Sequence, residues 1–281
     1  MGLWLCYRPA GLPRPSAGHK LREAQATPAA PRASIRSEPQ ASTPMKHAFR
    51  TLLCGAALLT ASASYAQTKQ TRPVEAFQAV QAGGGIDVFL TQGPTAAVVV
   101  EAASEVQPHL LTTIRNGTLV VGWEQNYSWK KLLPGKSPGK VSVYVTCPTL
   151  TALSVSGGSD ARGETAFTAD NLRLSASGGG DIRLALTAKA LTSQASGGSD
   201  ITVSGRVERQ KVAVSGGSDY HAFALQSTTA EVSASGGSDA EVMVEGELKS
   251  SASGGSGVRY KGGARVVSSH ASGGSSTKPA R

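Results

Sequence analysis

A five-residue motif, Ser-Gly-Gly-Ser-Asp or a close variant, recurs seven times in the second half of the chain. The successive spacings are 21, 19, 19, 20, 18 and 19 residues, and the copies begin at Ser156, Ser177, Ser196, Ser215, Ser235, Ser253 and Ser272. So regular a repeat predicts one structural unit per copy, stacked on its neighbours. The last two copies lose the aspartate, as terminal repeats often diverge.

Apolar and polar residues alternate on both sides of each motif. Leu153 and Val155 precede the first copy, for example, and Ile201 and Val203 follow the third. A period of two predicts β-strands in which every second side chain points inward. The Gly-Gly pair permits backbone conformations closed to other residues, so each motif is predicted to form a corner whose Ser and Asp bond the turn backbone.

These patterns predict an all-β fold, a parallel β-helix or β-solenoid with coils of about 19 residues and SGGSD corners. Seven coils stacked roughly 4.8 Å apart would form a rod about 30 Å long. The alternative is an antiparallel meander or sandwich, which identical corners at a fixed period disfavour. The period is too short for a four-stranded propeller blade.

The N-terminal third divides into two segments before the mature chain. Residues 1–44 contain seven prolines and no periodic apolar pattern, so we expect a disordered extension that results from a mis-assigned start. Residues 45–66 have a basic start after Met45, an apolar run and small residues before Gln67, the layout of a signal peptide. The mature protein is therefore expected in the periplasm, on the outer cell surface or secreted.

Residues 67–150 are predicted to be an N-terminal β segment that caps or continues the solenoid, and residues 151–281 to be its regular repeats. Gly83 to Val88 resembles a diverged corner followed by a strand. Asn116-Gly117 between two apolar runs predicts a two-residue hairpin. Cys147 is the one cysteine after residue 66, so it is predicted to be a buried free thiol.

The net charge of +9 does not indicate a nucleic-acid partner. Residues 1–66 hold eight Lys/Arg and two Asp/Glu, which is +6, whereas the other 215 residues hold twenty and seventeen, which is +3. A nucleic-acid site needs a basic field on the folded part. We therefore expect no nucleic-acid partner, and the mature chain holds no apolar run long enough for a transmembrane segment.

Together the exported leader, the Gly-Ile-Asp-Val strand at 85–88, the Asn-Gly-Thr-Leu hairpin at 116–119 and the SGGSD corners point to a family. The chain resembles the putative auto-transporter adhesin head GIN domain family, common in Bacteroidetes, over about residues 74–276. The resemblance implies a right-handed β-helix-like protein whose function is not established. It implies no catalytic residues.

Five aspartates occupy the same corner position in consecutive coils: Asp160, Asp181, Asp200, Asp219 and Asp239. Stacking would place their carboxylates roughly 5 Å apart, the separation used by retaining glycosidases, and their oxygens suit calcium. A residue repeated in every coil fits a structural rule better, with each aspartate capping its own turn. We therefore predict a structural role, with calcium as the alternative and no other cofactor.

An aromatic and basic loop is the second candidate site. It contains Trp123, Tyr127 and Trp129, followed by Lys130 and Lys131. Aromatic faces beside cationic groups can stack sugars or hold an acidic polysaccharide, which predicts a ligand-binding surface. Alternatively, the aromatic side chains plug an open end of the solenoid and the lysines solvate it.

Little in the sequence indicates catalysis. His109, His221 and His270 are not spaced as metal ligands, and no G-x-S-x-G motif is present. We predict an exported cell-envelope binding or structural module without catalytic activity, which contacts glycan, matrix or another envelope protein. The alternatives are a small polysaccharide-degrading β-helix enzyme that uses stacked aspartates, and a periplasmic envelope-signalling partner.

Overall fold

The computed structural model describes residues 67–125, 127 and 139–281, and the predicted extension at 1–44 and signal peptide at 45–66 lie outside them. The described residues contain one 17-stranded sheet and a 3₁₀ helix at Gln107–His109. The strands are β1 (Gln67–Arg72), β2 (Ala79–Gly83), β3 (Asp87–Gln92), β4 (Ala97–Ala103), β5 (Leu110–Arg115), β6 (Thr118–Trp123), β7 (Ser142–Cys147), β8 (Ala152–Ser156), β9 (Asp160–Gly163), β10 (Phe167–Ser177), β11 (Asp181–Ser196), β12 (Asp200–Gly216), β13 (Asp219–Gly236), β14 (Asp239–Gly254), β15 (Gly257–Lys261), β16 (Arg265–Gly273) and β17 (Ser276–Pro279).

From β8 onward each strand pairs in parallel with a strand one coil away. The register between β11 and β12 runs from Ile182↔Ile201 to Ser196↔Ser215, so one repeat of the sequence is one turn of the backbone. The predicted parallel β-solenoid is confirmed, with about seven turns. The antiparallel alternative is wrong for the repeat region.

Each corner is closed by the second serine of its motif. The Ser199 hydroxyl accepts the Ser196 N–H over 3.1 Å and lies 3.0 Å from the carbonyl oxygens of both Ser196 and Ala176. Because Ala176 belongs to the preceding coil, one hydroxyl serves its own turn and the coil below. Ser238, Ser256 and Ser275 make equivalent bonds.

The core consists of columns of inward side chains that run through successive coils. One column is Ile182, Ile201, Tyr220, Ala240 and Val258, and each of its members is fully buried. Tyr220 brings a hydroxyl into this core, where it donates to Gln210 Oε1 over 3.0 Å. Gln210 Nε2 in turn donates to the Ser227 hydroxyl over 2.8 Å, so the buried polar atoms satisfy one another.

The N-terminal strands complete the stack in a different way. Strands β2 and β3 form a coil that pairs in parallel with β8 and β9, 73 residues further along the chain. On their other side they pair in parallel with β6 and β7. Strands β1, β4 and β5 add antiparallel pairs beyond these. An insertion between β3 and β8 thus builds this end of the sheet.

Two local predictions in this segment are confirmed. Asn116 and Gly117 form the hairpin turn with φ values of 49° and 72°, between the paired Arg115 and Thr118. Cys147 is a buried free thiol, and burial raises the pKa of the thiol to about 11. Among the residues that the structure describes, no helix has the length and apolar character needed to cross a bilayer.

Close stacking makes Gly205 a sensitive position. Its φ is +114°, and a Cβ there would lie 2.0 Å from the Leu186 carbonyl oxygen of the next coil. Gly205→Ala is therefore expected to lower the free energy of unfolding by at least about 2 kcal/mol, through the unfavourable φ and the overlap. Urea unfolding followed by circular dichroism measures the change.

Gly217→Ala is the matched control, because a Cβ at Gly217 would meet no atom within 4 Å. We expect its free energy of unfolding to stay within about 0.5 kcal/mol of the original chain. Equal destabilisation by the two substitutions would contradict the stacking described here.

Candidate functional site

The five predicted aspartates form a straight line on the outside of the solenoid. This aspartate column consists of Asp160, Asp181, Asp200, Asp219 and Asp239, which are directly paired from coil to coil. Each of the first four accepts the backbone N–H of the next aspartate through Oδ1, over 3.1 to 3.3 Å. The expectation that an aspartate caps its own turn is wrong, because its bond reaches the next coil.

The aspartate column has the chemistry of a structural ladder. Its carboxylates lie in single file, and the two outer ion pairs are Arg183 to Asp181 at 3.3 Å and Arg259 to Asp239 at 3.9 Å. Over the described residues, no three His, Cys, Asp or Glu side chains converge in a way that could hold a metal ion. A glycosidase pair needs two carboxylates in different environments, whereas this column repeats one environment.

The structure places only part of the predicted aromatic loop. Trp129, Lys130 and Lys131 lie outside the described residues. The Tyr127 ring stacks on Trp123 at 4.9 Å and on His109 at 4.6 Å, measured between ring centroids. The Trp123 Nε1 donates to the Gly84 carbonyl over 2.7 Å, which fixes the indole on the first corner.

These contacts leave little aromatic surface for a ligand at Trp123 and Tyr127. A sugar stacks on a free ring face, but the Tyr127 ring is packed against two others. Burial raises the pKa of the Tyr127 hydroxyl. The side chains that are described here pack together over the first corner.

A shallow polar groove runs across several coils at the second corner of the solenoid. Its volume is about 590 Å³, and its walls include Thr168, Thr187, Lys189, Arg206, Glu208 and Gln226. Acidic and basic side chains alternate along it, and Lys189 pairs with Asp170 at 2.7 Å. The groove therefore offers hydrogen-bond donors and acceptors, but it contains no aromatic platform.

A second aromatic cluster, which the sequence analysis missed, lies in line with the aspartate column. We call Phe89, Tyr144, Lys69 and Lys140 the aromatic–lysine patch. Phe89 and Tyr144 pair across β3 and β7, and their rings stack with centroids 5.1 Å apart and planes 19° apart. The Lys69 ammonium lies 5.1 Å from the centre of the Tyr144 ring, and the Lys140 ammonium lies 5.7 Å from that of Phe89.

Two carboxylates hold this patch in place. Tyr144 donates its hydroxyl to Glu101 Oε2 over 2.8 Å, and Lys69 pairs with the same carboxylate at 3.5 Å. Lys140 pairs with Asp87 at 3.2 Å. The hydrogen bond to Glu101 is the main reason that the pKa of Tyr144 is raised. Tyr144 is nevertheless 37% exposed, so the patch is preorganised and open to solvent.

One sequence signal could have revealed the patch. Tyr144 lies between Val143 and Val145, which are both buried, so it occupies an outward position in an alternating strand. Large aromatic side chains at outward positions are unusual in a chain with 5% aromatic residues. Their pairing was hidden because Phe89 and Tyr144 are 55 residues apart and the intervening chain is not repetitive.

The comparisons with known proteins agree on one family and one fold. A family model described as putative auto-transporter adhesin, head GIN domain, matches residues 76–264. A putative adhesin from Bacteroides fragilis has a similar structure, with a TM-score of 0.69 and 19% identity over 77% of this chain and 97% of that one. No curated protein matches the chain at a significant level.

Two structures from Parabacteroides distasonis are also similar. A putative adhesin has a TM-score of 0.61 and 19% identity over 77% of this chain and 98% of that one. A putative lipid binding protein has a TM-score of 0.58 and 17% identity over 76% of this chain and 97% of that one. At these identities the likeness shows the fold alone.

The ladder role of the aspartate column predicts how Asp200 responds to substitution. Asp200→Ala removes the acceptor of the Asp219 N–H and is expected to lower the free energy of unfolding by about 1 kcal/mol. Asp200→Asn keeps a side-chain oxygen acceptor and relieves repulsion within the column. We expect its free energy of unfolding to change by less than about 0.5 kcal/mol, as measured by urea unfolding. Equal losses in the two variants would argue against the ladder.

Proposed function

The chain belongs to the putative auto-transporter adhesin, head GIN domain family, and from this premise we propose that it is an exported, non-catalytic binding module of the cell envelope. Its ligand is an extended molecule, a glycan, a matrix component or another envelope protein. The observation that carries the proposal is the in-register stacking of outward side chains. Such columns present one chemical group at a regular spacing, as an extended ligand requires.

The outer surface that carries the aspartate column supports a binding role. Beside the column runs a second line of outward residues, in which Phe89, Arg162 and Arg183 are followed by Thr202 and His221. The backbone beneath is held by continuous parallel pairing, so these groups are fixed before a ligand arrives. Preorganisation lowers the entropic cost of binding.

The same surface gives no support to the enzyme alternative. The aspartates act as equivalent backbone acceptors, and a hydrolase would need one of them to differ from its neighbours. Calcium is likewise outside the proposal, because one oxygen of each of the first four carboxylates is already bonded to a peptide N–H. Binding is proposed to need no metal and no cofactor.

A binding assay with the full-length protein separates these functions. We expect retention on immobilised envelope glycans that is unchanged by EDTA and by the double substitution Asp200→Asn with Asp219→Asn. No reducing ends should be released from soluble polysaccharide. Release of sugar that the double substitution abolishes would establish the enzyme alternative and sink the proposal.

Location is tested separately on the native organism's cells. We propose that the signal peptide at 45–66 exports the chain and that the solenoid faces the outside. Protease treatment of intact cells, followed by mass spectrometry, is then expected to release peptides from residues 67–281. Protection until the outer membrane is opened would place the protein in the periplasm, where the envelope-signalling alternative applies.

A further inference from the structure

We propose that the aromatic–lysine patch is the binding site for a neutral saccharide chain, an inference that rests on the proposed binding function and names its ligand class. The patch joins a preorganised aromatic pair to groups that both donate and accept hydrogen bonds. It lies at the N-terminal end of the surface that carries the aspartate column.

The aromatic ring of Tyr144 supplies the stacking surface. One face of the ring rests against Phe89, and the next residues in the same row across the sheet are Val99 and Thr71, which are shorter. The ring therefore stands above its neighbours on that side. Lys69 lies over it with a side chain that is 62% exposed, so the lysine can move aside at little cost in packing.

The hydroxyl of Tyr144 fixes the ring before any ligand binds. Its bond to Glu101 at 2.8 Å restrains both side-chain torsions of an aromatic residue that starts with few rotamers. Aromatic side chains held in this way lose little conformational entropy on binding. A sugar ring can then gain stacking energy on the Tyr144 face without first ordering it.

Charge decides between a neutral and an acidic saccharide. Lys69 is paired with Glu101 and Lys140 with Asp87, so these four side chains carry no net charge. Arg162, next to Phe89 in the register, is balanced by Glu164, which acts on Tyr144 electrostatically. An acidic chain would meet as many carboxylates as ammonium groups, whereas hydroxyl groups can bond to both.

The register extends this site along the solenoid. Asp87 continues the line of the aspartate column, because Val88 pairs with Ala161 just after Asp160. Arg183 and Thr202 follow Arg162 at the adjoining outward positions. A saccharide that stacks on Tyr144 and lies along the axis would meet hydrogen-bonding groups at each coil, so affinity is expected to rise with chain length.

The test uses the full-length protein and isothermal titration calorimetry with three neutral hexasaccharides, cellohexaose, maltohexaose and chitohexaose, and the acidic hexagalacturonate. At least one neutral chain is expected to bind, more tightly than its trisaccharide. Its affinity should change less than about twofold when salt is raised from about 50 to about 300 mM. Tyr144→Ala is expected to weaken binding by about tenfold or more.

Two variants control for effects on folding. Phe223→Ala removes an aromatic ring that Lys261 covers at 4.5 Å, the same kind of contact away from the patch. Tyr144→Phe keeps the ring and loses the bond to Glu101. We expect Phe223→Ala to bind like the original chain and Tyr144→Phe to lose no more than about threefold.

Several results would overturn the inference. These are unchanged binding by Tyr144→Ala, equal losses in Tyr144→Ala and Phe223→Ala, salt-sensitive preference for hexagalacturonate, or no binding of any neutral hexasaccharide. If retention on envelope material persists in any of these cases, the proposed function stands and only the site is wrong. If retention is also absent, the proposed function fails with it.

Discussion

The structure depends on the direct stacking of one corner on the next. At each motif the first glycine lies so close to its counterpart one coil away that a Cβ on Gly236 would sit 3.0 Å from the Gly216 carbonyl oxygen, with φ at +78°. This approach allows the strands on either side to pair in parallel without a shift at the corner. The buried columns, the serine hydroxyls that close each turn and the aspartate column on the surface all repeat because the corners do.

Stacking also determines where polar atoms can be buried. A parallel solenoid bonds its backbone between coils, so a side chain inside it must find a partner in its own turn or in a neighbouring coil. The corner serines do both. Tyr220 is the large exception in a narrow interior of Val, Leu, Ile and Ala, and its hydroxyl is accommodated by Gln210 and Ser227 in adjoining positions. Burial accordingly raises the pKa of Tyr220.

Interactions that repeat could be predicted from the sequence, and interactions that do not repeat could not. The 19-residue period and the Gly-Gly pairs predict coils and corners, and Asn116-Gly117 predicts its hairpin, because in each case neighbouring residues decide the structure. The aspartate column was predicted as a line, but its hydrogen-bond partner was not, since that partner lies one coil away. Trp123 and Tyr127 were identified as residue types, yet their packing against His109 and Gly84 depends on tertiary contacts. Phe89 and Tyr144 meet only because the insertion before β8 returns β7 to the edge of β3.

A rigid ladder with one preorganised aromatic pair gives the family fold a specific means of binding without catalysis. The most direct measurement is hydrogen–deuterium exchange of the full-length protein with and without a saturating neutral hexasaccharide. The account predicts added protection in peptides that cover residues 67–72, 87–103 and 142–147, with smaller effects along the aspartate column. Protection confined to the groove at the second corner, or to the segment around Trp123 and Tyr127, would contradict it.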